Sequence, residues 1–101
     1  MGTRRRNRNC LAYLSFFGYK IYFWSNENNE PIHIHISKGK PIKNSTKVWL
    51  TKSGGCILAN NNSKIPDKDL NNILGAIASN YFLIVSEWKR FNATEVVKYY
   101  C

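Results

Sequence analysis

The chain has 101 residues, 15 Lys/Arg against six Asp/Glu and a formal net charge of +9, with 44% hydrophobic and 14% aromatic residues. That length fits one domain, and the apolar content excludes a chain disordered by composition. No apolar run approaches the roughly 20 residues of a membrane span, and the short Leu11–Phe17 stretch makes a poor secretory leader, so a cytoplasmic protein is expected.

The charge is uneven. Residues 1–52 hold ten Lys/Arg against Glu27 and Glu30, whereas residues 53–101 hold five against four acids. A one-sided excess attracts polyanions, so nucleic acid or a ribonucleoprotein is the expected partner class. Cys10, Cys56 and Cys101 are distant and odd in number, and no C-x-x-C occurs. This argues against a disulfide scaffold and a cysteine-rich zinc knuckle and for free thiols.

In chain order, residues 1–10 read as a basic flexible arm. Arg4, Arg5, Arg6 and Arg8 there are candidate phosphate contacts, because the guanidinium fork donates paired hydrogen bonds. Residues 11–91 read as a single α+β domain. Tyr19–Trp24 is rich in aromatic and β-branched residues and predicts a strand. A polar segment ending at Pro31 then leads into Pro31-Ile32-His33-Ile34-His35-Ile36.

That segment alternates isoleucine with histidine and holds both histidines of the protein. As a strand it would put Ile32, Ile34 and Ile36 on one face, with His33 and His35 about 7 Å apart on the other. A basic connection with Lys38, Lys40 and Lys43 follows. A third strand is expected over Thr46–Thr51, with Lys47 and Trp49 facing the same way as the histidines. After the Gly54-Gly55 turn, Cys56–Ala59 predicts a short fourth strand.

Leu70, Leu74, Ile77, Tyr81, Ile84, Trp88 and Phe91 step by four and three, which is the strongest periodicity in the chain. It predicts a helix over 66–91, about 39 Å long if continuous. Gly75 and Ser79-Asn80 are the places where it would bend or split. Phe82 and Leu83 fall off the stripe and mark a candidate homodimer surface. Asn92 is the expected helix cap, and residues 92–101 read as a tail that adds an edge strand or packs on the helix. The architecture expected is a four-stranded, mainly antiparallel sheet with one long C-terminal helix on its isoleucine face.

His33 and His35 admit three functional readings. They would ligate a divalent metal such as zinc, with a third ligand from Glu30, Glu27, Cys56, Asp67 or a second subunit. They would act as a general acid–base pair in a toxin-type ribonuclease, with Lys38, Lys40, Lys43 and Lys47 holding phosphate. Or they would serve binding alone, with the imidazoles, Tyr22, Trp24 and Trp49 stacking on bases or forming an interface with a protein partner. Against these stands the plain reading that a strand histidine packs on a cross-strand aromatic or acid. No glycine-rich phosphate loop, H-E-x-x-H or nucleophile elbow is present, so the balance leans away from an enzyme.

Phe17-Gly18-Tyr19-Lys20-Ile21-Tyr22-Phe23-Trp24, Asn29-Glu30-Pro31-Ile32-His33-Ile34-His35-Ile36, the Ile65-Pro66 helix start and Glu87-Trp88 together resemble family 4160 of the domains of unknown function, over residues 14–91. The chain departs from that pattern in having Ile32 between Pro31 and His33, in its arginine-rich arm and in its tail. The resemblance implies a small bacterial or mobile-element protein in a toxin–antitoxin-like or defence-related setting. A regulator, an antitoxin or a nuclease inhibitor would suit such a setting. It also points to His33 and His35 without assigning them a role.

Overall fold

The computed structural model describes residues 10–24 and 29–101, with side chains from residue 14 onward in the first segment. The arginines of the arm and Glu27 lie outside the described residues. The elements run β1 (Cys10–Phe16), β2 (Tyr19–Trp24), β3 (His33–Lys38), β4 (Thr46–Leu50), β5 (Cys56–Asn60), α1 (Asp67–Ser79) and α2 (Tyr81–Phe91). The five strands form one antiparallel sheet in sequential order.

The sheet therefore has five strands where the sequence suggested four. The extra one is β1. Its alternation is interrupted by a register shift between Ala12 and Leu14. That bulge breaks the period-2 signal by which a strand is recognised in sequence.

The isoleucine face is the core, as the alternation predicts. Ile21 pairs with Ile36 and Ile34 with Val48 across neighbouring strands. Leu70, Ile73 and Ile77 of α1, and Tyr81, Ile84 and Trp88 of α2, are buried with those residues in one cluster. Each fully buried aliphatic side chain there contributes roughly 1.5–3 kcal/mol, so this face anchors the fold.

The single long helix is corrected to two. Asn80, at φ −109° and ψ 18°, separates them. Its backbone N–H reaches both Ala76 and Ile77 carbonyls, and its side-chain amide donates to Ala76 O at 2.8 Å. Asn is a weak helix former whose side chain competes for backbone partners. The buried stripe keeps its spacing through the break, because Ile84 N still donates to Asn80 O.

The tail is docked. Ile32 N donates to Lys98 O at 2.8 Å and Lys52 N to Cys101 O at 2.9 Å, so residues 98–101 lie across the ends of β3 and β4. Val97 and Tyr99 pack against the core.

Candidate functional site

The histidine face of the sheet is assembled by register. His35 lies opposite Tyr22 on β2 and Lys47 on β4, and His33 lies opposite Trp49. The rings of His33 and His35 meet edge to face with centroids 5.0 Å apart. His35 stacks on Tyr22 and meets Trp24 edge-on, while His33 touches Trp49 and Trp88. His33 Nδ1 is 2.8 Å from Pro31 O, and His35 Nδ1 is 3.1 Å from Ser45 Oγ.

This face is also covered. His33 is 0% exposed and His35 7%. The β3–β4 connection folds back over it: Tyr22 Oη donates to Ile42 O and accepts from Ile42 N, and Ser37 Oγ donates to Lys40 O. On the other side of the pair, the Tyr100 ring lies flat on Trp49 at 5.0 Å. Lys47 Nζ sits 4.3 Å from the centre of the Trp49 ring and pairs with Glu30 at 2.8 Å. A phosphodiester would reach His33 only after these covering segments move.

Among the described residues the nominated metal ligands are not gathered at one point. Cys56 lies opposite Leu50, a core residue, and its thiol approaches Leu74 O of α1. It therefore shares the face of Leu50 and packs on α1, and burial pushes its thiol pKa up. Glu30 is held by Lys47. Asp67 opens α1. Among the described residues no three His, Cys, Asp or Glu side chains converge as a metal site. Trp24 is half-buried, and its indole Nε1 is enclosed without a hydrogen-bond partner among the described residues.

The charged groups are arranged differently. Gly39 N donates to Gly18 O, which joins the β1–β2 turn to the start of the β3–β4 connection. Ser63 Oγ donates to Ile36 O, and Tyr19 Oη donates to Asp69 at 2.9 Å, so the β5–α1 loop and the start of α1 meet the same end of the sheet. Lys20, Lys38, Lys40, Lys43, Lys64 and Lys68 all fall at that end, and all but Lys20 are exposed. Among the described residues the ion pairs are Lys47–Glu30 and Arg90–Glu87, neither of which uses these lysines. Lys38 and Lys40 were legible as a basic run. Their union with Lys20, Lys64 and Lys68 comes from strand order, which leaves no local sequence signal.

These features define a small α+β domain whose five-stranded meander packs two helices on its isoleucine face and carries a buried aromatic–imidazole cluster that Trp88 of α2 also touches. The chain belongs to the family described as a domain of unknown function (DUF4160), which matches residues 18–89. Searches of curated proteins and of solved structures found no match. No helix among the described residues is long and apolar enough to cross a membrane.

Proposed function

We propose that the protein is a non-enzymatic module that binds nucleic acid or a ribonucleoprotein through the lysine-rich end of its sheet. The observation that supports this is the set of six lysines from β2, β3, the β3–β4 connection, the β5–α1 loop and α1, which engage no acid among the described residues. Asp67 and Asp69 are the acids nearby, and Asp69 already accepts from Tyr19. Unneutralised ammonium groups clustered on separate loops match an extended phosphate backbone, and their binding energy comes from counterion release. Such a module suits a regulator, an antitoxin or an inhibitor of a nuclease complex.

In this reading His33 and His35 brace the fold that positions the lysines. Their burial supports that role over proton transfer on a substrate or metal ligation. The test is binding of a fluorescent oligonucleotide over a range of salt. Affinity should fall steeply with salt, and Lys38→Glu, Lys40→Glu and Lys43→Glu together should make the log–log slope shallower by about 2. Binding that ignores salt, or no binding at low salt, removes the proposal.

A further inference from the structure

The β1–β2 turn carries an aromatic residue where its backbone disfavours one. Phe17 and Gly18 are the two residues between the strands, with φ 50° and φ 81°. Positive φ at both positions is the requirement of a type I′ hairpin turn, whose favoured first residue is Asn or Asp. A bulky side chain in the left-handed region is an outlier, and strain of this kind concentrates where a side chain serves a purpose other than folding. No folding gain offsets it here, because Phe17 is 71% exposed. Its ring centroid lies 4.5 Å from that of Phe16.

The surroundings of Phe17 are cationic. Gly18 O is bonded to Gly39 N, so Lys38 and Lys40 flank the turn directly. Lys20 lies on the strand that leaves it. An exposed ring among lysines matches the pairing by which single strands are held: bases stack on the aromatic while the cations follow the phosphates. A duplex offers its phosphates but keeps its base faces stacked, so it would use the lysines alone.

We infer that Phe17 is a base-stacking residue and that the lysine-rich end takes single-stranded nucleic acid in preference to duplex. This inference rests on the binding role proposed above and gives that role its ligand class. Of the aromatics expected to stack, Tyr22 is buried, and Trp24 and Trp49 are half-buried on the covered face. Phe17 takes over that part.

The experiment compares the wild-type protein with Phe17→Asn and Phe17→Trp. Asn suits the turn and removes the ring, whereas Trp keeps a stacking face. Fluorescence anisotropy is read with a labelled 12-nucleotide strand, as RNA and as DNA, and with the same sequence as a duplex. Phe17→Asn should bind single strands about 5- to 100-fold more weakly, with duplex binding unchanged, and should melt a few degrees higher because the strain is gone. Phe17→Trp should retain single-strand affinity. A stronger effect on RNA than on DNA, or the reverse, identifies which strand is the ligand.

The stacking role is overturned if Phe17→Asn leaves single-strand affinity intact while the lysine substitutions reduce it. It is likewise overturned if wild-type protein binds duplex as tightly as single strand. A change in oligomeric state on Phe17→Asn, seen by sedimentation, would assign the ring to contact with a second copy and overturn it as well. Wild-type protein that binds none of the three probes at low salt removes the charge-based role and this one together.

Discussion

Ala93 adopts φ 51° just after α2. Its N–H donates to Arg90 O, and Thr94 N donates to Lys89 O at 3.0 Å. This is the paired bonding of a Schellman motif, in which the residue beyond the cap is left-handed. Asn92, the expected cap, does hold the cap position, with φ −96°, and bonds Trp88 O through its side-chain amide. Glycine removes the steric cost of the left-handed region, so Ala93→Gly should stabilise the protein by about 1 kcal/mol in urea unfolding. His33 is the opposite case. It touches Trp49, Trp88 and His35 and has no exposed surface, so His33→Ala should destabilise by roughly 2–4 kcal/mol. A midpoint of unfolding that does not move would contradict its bracing role. The alternation of Ile and His was legible in the sequence. The closure of the histidine face was not, since it depends on Ile42, Ser45 and Tyr100 arriving from other parts of the chain.

At the scale of elements, a tyrosine ties the start of α2 to the residue just beyond β4. Tyr81 Oη donates to Thr51 O, and Tyr99 from the tail stands beside it. Burial, with the Tyr99 hydroxyl second, pushes its pKa up to about 12. An unfolded tyrosine titrates near 10. Because the folded value is the higher one, the native state holds the proton longer. Tyr81 therefore contributes its full stabilisation below about pH 10 and loses it as pH rises toward about 12, an effect of order 2 kcal/mol. Tyr19, raised by burial and by Asp69, adds in the same direction. Unfolding free energy should fall across that window, and Tyr81→Phe should flatten the fall. A slope unchanged in the variant would place the alkaline sensitivity elsewhere. The helical stripe was fully legible because spacing alone carries it. The break at Asn80 was legible only as a weak point, since a stripe that continues through a kink looks the same as one on a straight helix.

At the scale of the molecule, the tail closes the structure. Val97 and Tyr99 join the core, Tyr100 covers Trp49, and two backbone bonds fix residues 98 and 101 to the sheet. Removing residues 96–101 should cost about 2–5 kcal/mol and red-shift tryptophan emission as Trp49 meets water. An unaltered spectrum and midpoint would show that the tail contributes no stability.

By itself the sequence determined the α+β class, the isoleucine core face, the helical stripe and the excess of positive charge. Those properties are written in local periodicity and composition, which need no partner to be read. Only the tertiary structure decided that both sheet faces are covered, that the imidazoles are inside, and that lysines from five separate segments share one end with Phe17. The reason is that these are facts of register and strand order. They bring together residues tens of positions apart, and no local pattern records such a meeting.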